Sequence, residues 1–463
     1  MGKLRNFIDV LTQDEVLKMH REMLAVLEKT GMRVPHDGVL AKCKSAGFIV
    51  DDAMKRVRFP STLVDELLRV NKPKQIPEGP VERVKGNIST QVFIVDYPGN
   101  VQRKGELKDV RRGIMVSDRL MNYYCSSAVV IPADLPADRT DIASYREINL
   151  YSRRPGGTYI LSPETGRGII EMGRVMGKKN GYLLETVSPL GYMNSSLEMA
   201  RIFAEAGMPI GVAPMVISGV SGPMTIWGSA VLEIAEITGT NLIIYALTGQ
   251  FQNCMSFASH TMDMRTTLCS FGSPNQAMLG LIAGQMGRFY GWGSGSNSAL
   301  ADACMPDYQC GFEKALNGVF ALLGGTTGIG AQGIVGADQG ISLEQLVLDN
   351  DWMDAYNHVA KGVEYDPEAL ELIDEIGIAG TFMSEEHTVE HMREVFWEAP
   401  SRCLWRDQWE RWKEADHPDI YAQAHEFVEE SIRGWETLEP VISPSMAEEI
   451  ERIYRETIAR LDR

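Results

Sequence analysis

From about residue 120 onward, short apolar runs alternate with segments of helical periodicity, and this alternation constrains the fold more than any other feature of the chain. The strand candidates are 127–131, 158–161, 182–187, 209–213, 242–246 and 254–258, with weaker ones at 288–292 and 327–331. Helical patterns fall between them, at 196–206, 228–238, 275–287, 311–323 and 342–352. Repeated β-then-α units imply parallel strands, because a parallel pair needs a crossover long enough to hold a helix. About eight such units predict an α/β fold, a TIM (β/α)8 barrel. A doubly wound open sheet is the alternative.

The flanks read differently. Val16, Met19, Met23, Val26 and Leu27 recur at helical spacing over 13–30, ahead of a stop at Gly31, and a second helix is expected over 61–70. Residues 91–101 turn strand-like around a Pro-Gly-Asn turn. After residue 365 the chain is charged and helical, with candidates at 390–397, 402–413, 420–433 and 445–460, whose tryptophans are expected to dock on the barrel. We therefore expect one domain: a helical cap over 1–85, the barrel over 86–350 and a helical extension over 351–463.

The 62 acidic residues outnumber 45 basic ones, for a formal charge of −17. Nucleic acid is a poor partner for such a chain, since phosphate binding needs concentrated basic charge. The first ten residues lack an apolar secretory core, and no uninterrupted apolar run reaches membrane-spanning length. Seven scattered cysteines form neither a zinc pattern nor a disulfide framework. A soluble, cytoplasmic protein with no metal of its own is expected, with self-association a weak prior for a large barrel.

Several familiar sites are missing or misplaced. No Walker loop and no Gly-x-Ser-x-Gly elbow occur, and the glycines of 324–330 follow a helical stretch, the wrong setting for a dinucleotide turn. His387 and His391 stand one helical turn apart, but without the adjacent glutamate of a zinc protease. No Asp-x-His-x-x-Gly motif is present to ligate a cobalamin.

Polar and aromatic residues gather near the expected strand ends: Phe257, His260, Phe289, Tyr290, Trp292, Asp302, Asp307 and Glu313. In a barrel, side chains leaving the C-terminal strand ends converge on one pocket. Aromatic faces plus carboxylates suit a quaternary ammonium ion, which cannot donate a hydrogen bond and is held by cation–π contacts of roughly 0.5–2 kcal/mol each. Core packing is the competing reading for each of these aromatics.

These stretches also carry a resemblance. Val187-Ser-Pro-Leu190, Ser221-Gly-Pro-Met-Thr225 with Ala235-Glu236, Asp263-Met-Arg265 and Tyr290-Gly291 are similar to landmarks of the trimethylamine methyltransferase family. So are Asp302 with Pro306-Asp307 through Glu313-Lys314, Ser342-Leu-Glu344 through Asp349-Asn350, and His387 through Arg393. The resemblance runs from about residue 10 to 455 and implies a TIM-barrel enzyme that passes a substrate methyl group to the cobalt of a separate corrinoid protein. Cobalamin would then arrive on that partner and not be tightly bound to this chain. No pyrrolysine occurs in the sequence, so the resemblance is to the non-pyrrolysine branch, implying quaternary amines such as glycine betaine, proline betaine, carnitine or γ-butyrobetaine. On this reading Tyr97, Tyr290 and Trp292, with Phe257 and Phe289, cage the cation. Asp302, Glu313 and Asp307 compensate its charge, and His260 or Gln332 holds a substrate carboxylate or hydroxyl. A metal-dependent hydrolase using His260, His387 and His391, and a non-catalytic quaternary-ammonium binding protein, are the other readings. An aldolase-type barrel is disfavoured, as no strand candidate ends in lysine.

Overall fold

The computed structural model describes residues 4, 6–72, 79–330 and 332–463; the end of the 327–331 strand candidate lies outside them. The fold is mixed α/β. Its parallel pairings follow the order of the chain. Gly86 bridges Tyr123, Gln91 bridges Val130, and Ser126 bridges Pro155. Strand Tyr182–Glu185 pairs with Ile210–Ala213. Strand Gly293–Ser296 lies between Cys254–Phe257 on one side and Gly328–Ile329 on the other. The Gln332 amide then reaches Asn87 O at 2.8 Å, linking the last run back to the first. Among the described residues these pairs fall in separate sheets, not in one continuous closed ladder.

Strand polarity organises the interior. On Tyr182–Glu185, Ile210–Ala213 and Cys254–Phe257 the residues Leu184, Ile210, Val212, Met255 and Phe257 are buried in the apolar core shared with the surrounding helices. Their neighbours on the opposite face, Leu183, Glu185, Gly211, Ala213 and Ser256, remain open to solvent to differing degrees, as the two-residue period of a strand requires. Gly211, Ala213 and Ser256 keep part of that face small. A β-carbon at Gly295 would come within 3.2 Å of Ser256 Oγ.

Two strand expectations need correcting. The 242–246 run lies inside the helix Ile226–Thr248, which Thr225 caps at one end and Gly249 (φ 74°) closes at the other. A helix that is apolar on every side is buried on every side, so its run of Leu and Ile looks like a core strand. By length and composition this helix could cross a membrane, but most of it is buried inside the protein. The 288–292 run closes the helix Pro274–Tyr290; Gly291 (φ 71°) ends that helix, and the strand starts at Gly293. Runs 127–131 and 158–161 are extended, with only isolated bridges at their margins.

The flanks are largely as expected. Helix Gln13–Ala25 is held by a Thr12–Glu15 capping box and buries Val16, Met19, Met23 and Leu24. Helix Ser61–Val70 forms as read, and Phe93–Asp96 and Val101–Lys104 make an antiparallel hairpin. Helix Leu343–Ala360 runs straight across residue 350. In the tail, Glu386–Val395, Ile420–Ile432 and Pro444–Leu461 are helical, whereas 402–413 yields only Trp409–Glu414.

Candidate functional site

The loops that leave the parallel strands are fastened by buried carboxylates borne on neighbouring helices. Asp141 accepts the Leu161 amide at 2.8 Å and the Thr165 hydroxyl at 2.6 Å. Glu236 accepts Thr186 Oγ1 and Ser188 Oγ, each at 2.6 Å, and the Leu190 amide at 2.7 Å. One turn earlier on the same helix, Glu233 accepts the amides of Val216 at 3.0 Å and Ala258 at 2.8 Å, tying two successive strand ends together. Burial pushes the Glu233 carboxyl up to about 8. Lys314 donates to Asp349 at 2.9 Å and to Ala299 O at 3.3 Å, while Asp349 accepts the Gly333 amide at 2.7 Å. Ligands of parallel α/β proteins bind at the C-terminal strand ends, and these bonds hold that rim rigid.

Alongside the strand Tyr182–Glu185 is a cavity of about 620 Å³, in the size range of small-molecule sites. Its lining includes Ser89, Thr90, Ser127, Thr158, Tyr159, Tyr182 and Glu185; the Thr90 hydroxyl is already given to Ala128 O at 2.7 Å, and Thr158 Oγ1 is buried. Neither lysine nor arginine is among its lining residues. Glu185 is the last residue of its strand and makes no hydrogen bond or ion pair among the described residues. Solvent reaches it through the cavity, yet the surrounding protein raises its carboxyl above the usual range. Sequence reasoning missed it. The available signal was its place at the end of Tyr-Leu-Leu-Glu, where strand alternation turns it away from Leu184.

The residues expected to form the site are not gathered in one pocket. Phe289, Tyr290 and Trp292 do cluster, with centroids 4.9 and 5.1 Å apart. They lie where a helix hands over to the start of strand Gly293–Ser296, however, at the opposite end of the strands from the rim. Tyr290 and Trp292 are buried in the core, and the Tyr290 hydroxyl is 3.0 Å from His20 Nδ1. Phe257 is buried in the same core.

A second group surrounds Phe271. His260 is fully buried against that ring at 4.0 Å, and Asn297 Nδ2 is 3.4 Å from its Nε2. Burial pulls the imidazole down to about 3, so it is neutral. Asp302 accepts the Phe271 amide and the Ser270 hydroxyl, each at 2.6 Å. Glu313 accepts the amides of Asp302 and Ala303, and Asp307 caps the helix Tyr308–Leu323 through the Cys310 amide. These three carboxylates are thus engaged by the chain itself. Gln332 is buried, donating to Gly330 O, with its Oε1 unpartnered. Tyr97 stands apart, 5.2 Å from the His425 ring, beside a separate recess of about 350 Å³.

The His387 and His391 rings lie 4.3 Å apart, tilted by 37°, but one bonds Asp366 and the other Glu394. Among the described residues, no group of three or more His, Cys, Asp or Glu is placed to hold a metal ion.

A cavity with one carboxylate unpaired among the described residues makes a candidate small-molecule site on an α/β scaffold. The family model for trimethylamine methyltransferase (MTTB) matches residues 3–460, and the chain belongs to this family of methyltransferases. It is 24% identical over 440 residues to the trimethylamine methyltransferase MttB of Desulfitobacterium hafniense strain DSM 10664 / DCB-2, covering 90% of this chain and 87% of the relative. It is 25% identical over 442 residues to the glycine betaine methyltransferase of Desulfitobacterium hafniense strain Y51, covering 89% and 91%. A solved structure titled as the hydroxylamine MtmB complex overlays at TM-score 0.44 with 11% identity, covering 98% of this chain and 95% of that one, a likeness too distant to bear on the fold. The family read from the short motifs is the family the whole chain matches.

Proposed function

We propose that the protein removes a methyl group from a quaternary, betaine-type amine and passes it to the cobalt of a separate corrinoid protein. The observation that carries this is Glu185: a carboxylate without a counter-ion among the described residues, beside a cavity whose lining includes Ser89, Ser127, Tyr159 and Tyr182, in a member of this methyltransferase family. A fixed positive charge is the natural partner for such a group, and aromatic faces add to it. The hydroxyls of Ser89 and Ser127 can donate to a substrate carboxylate. The glycine betaine relative supports the betaine class.

The reaction asks little acid–base chemistry of the chain. A quaternary ammonium already carries its leaving group, which departs as a neutral amine, so no proton need be delivered. The protein's task is to bind, orient and dehydrate the cation. When bound through its carrier, the corrinoid supplies a Co(I) nucleophile for the methyl carbon. This chain offers it no evident lower ligand: the motif is absent from the sequence, and His260 is neutral and enclosed.

We also read the parallel runs as the staves of a (β/α)8 barrel over 86–350, capped by 1–85 and 351–463, in a cytoplasmic protein. The chain order of the parallel pairs and the Gln332–Asn87 link support this.

The test is methyl transfer followed by absorbance, with the purified chain and a reduced cobalamin carrier. Glycine betaine, proline betaine, carnitine, γ-butyrobetaine, choline and trimethylamine would be offered in turn. Methylcobalamin formed from a quaternary amine and not from trimethylamine is the expected result. No transfer from any of them, with a carrier proven competent elsewhere, overturns the proposal.

A further inference from the structure

The cavity beside strand Tyr182–Glu185 carries its charge and its free hydroxyls in separate places. Among the described residues Glu185 is the one acidic side chain on the lining, and no lysine, arginine or histidine is there to offset it. Ser89 and Ser127 are half-buried on the same lining, and their hydroxyls bond no other group of the chain among the described residues. The Thr90 hydroxyl is committed to Ala128 O, Ser196 stands at the Tyr182 hydroxyl, and Ser195 is exposed at the start of its helix.

Strand pairing sets how far apart these groups stand. The run that holds Ser127 is bridged by Gly86 and Gln91 at Tyr123 and Val130, and by Pro155 at Ser126. A strand has only two edges, so both sides of this run are taken. Strand Tyr182–Glu185 pairs with Ile210–Ala213 and comes no nearer than the far side of the run that begins at Pro155. Gly157, Thr158 and Tyr159 of that run line the cavity together with Glu185 and Ser127. Glu185 therefore stands at least two strand spacings from Ser127 and three from Ser89. At about 4.8 Å per spacing, their backbones are roughly 9–14 Å apart along the sheet.

Resting on the quaternary-amine reading above, we propose that the site selects its substrate by the distance between the two charges. The preferred ligand is a trimethylammonium carboxylate with three or more carbons between nitrogen and carboxylate. Its head lies against Glu185 and its carboxylate reaches Ser89 and Ser127. A betaine with a single carbon between its charges brings its carboxylate to the Glu185 end together with its nitrogen. There the like charges repel, and no cation of the lining compensates them. Lengthening the spacer keeps the attraction of the head for Glu185 while the repulsion falls with distance. The carboxylate then meets hydroxyl donors, which accept it without adding a charge. A chamber of about 620 Å³ has room for the extended chain.

Calorimetric titration of the full chain tests this without any carrier. The probes are trimethylammonium carboxylates with one, two, three and four methylenes between the charges, and butyltrimethylammonium, which has no carboxylate. Affinity is expected to rise about tenfold or more from one methylene to three or four. Affinity that is level or falls along the series, while butyltrimethylammonium binds, overturns the proposal and leaves the quaternary-amine reading standing. Failure of every probe, butyltrimethylammonium included, overturns both. Two variants then locate the charges. Glu185→Gln should weaken the long members most, so that the series flattens. Ser89→Ala with Ser127→Ala should weaken the three- and four-methylene members and spare butyltrimethylammonium. A series that keeps its slope in both variants overturns the proposal; should either variant fail to fold, the slope in the unaltered chain decides.

Discussion

Lys314 and Asp349 form an ion pair of 2.9 Å with both side chains wholly sealed from water. Neither group is left to the pair alone. Lys314 also donates to Ala299 O, and Asp349 accepts from the Gly333 amide and from Gln345. The pair thus joins the loops that follow two adjacent strands, with every charge hydrogen-bonded.

Breaking the pair from one side strands the other charge in the interior. Lys314→Met is expected to destabilise the fold by about 3–5 kcal/mol, the usual cost of an uncompensated buried ion. Denaturant unfolding would show it as a lower midpoint. A loss below about 1 kcal/mol would mean that water reaches Asp349.

Glu185 is expected to behave in the opposite way. It has no partner to lose, so Glu185→Gln leaves the melting temperature within a degree or two, by the small effect usual for such sites. Affinity for a quaternary ammonium ligand falls about tenfold or more, equivalent to roughly 1.4 kcal/mol. Calorimetric titration separates the two effects.

The same carboxylate sets a pH dependence. Burial raises its pKa above the usual value, and only its ionised form attracts a cation. Affinity in the unaltered protein should rise with pH through that raised value and then level off. In Glu185→Gln the profile should be flat over the same window. A slope that survives the substitution would assign the titration to another group.

Glu233 couples folding to pH with a definite sign. Its pKa is raised from 4.5 to about 8 in the folded state by burial, so the folded protein holds a proton that the unfolded chain releases above about 4.5. Its contribution is complete below that value and is lost as pH rises to about 8. Urea unfolding at pH 5 and pH 8 should show lower stability at pH 8, with a smaller difference in Glu233→Gln.

Trp292→Ala is a test of placement. The ring is buried beside Tyr290 and Phe251 at the start of its strand. Its removal is expected to cost about 3–5 kcal/mol of stability, as for other buried aromatics. Substrate affinity of the protein that remains folded should be unchanged. A selective loss of affinity would return Trp292 to the binding site.

What the sequence revealed depended on which residues carried the alternation. Strand Cys254–Phe257 was legible because Met255 and Phe257 face apolar helices while Ser256 does not. Strand Gly293–Ser296 is Gly-Ser-Gly-Ser; with nothing apolar on either face, its signal was displaced onto the end of the preceding helix. The helix Ile226–Thr248 hid a false strand because burial on all sides erases helical periodicity. The family was legible, since order and spacing of short motifs survive where side-chain contacts cannot be seen.

The site was harder to read. Asp302, Asp307, Glu313 and Glu185 are all carboxylates near strand ends or the loops that follow them, and composition does not say which are already engaged. Three accept backbone amides within 3.3 Å, and only the fourth is free to meet a ligand. The aromatic cluster deceived for a related reason. A residue just before a strand and one just after it look alike in sequence but emerge at opposite ends of the strands.

The carboxylates that fasten the rim sit on the helices, whereas most residues lining the cavity sit on the strands and their immediate continuations, with Ser195, Ser196 and Met199 added by the helix Asn194–Glu205. Anchorage and recognition are therefore written at different positions. Exchanging Ser89, Ser127 or Thr158 reshapes the chamber while Asp141, Glu233, Glu236 and Asp349 keep its frame. Such a division lets one scaffold be retuned from one methylated amine to another by a few changes, without the new preference having to rebuild the loops that present it.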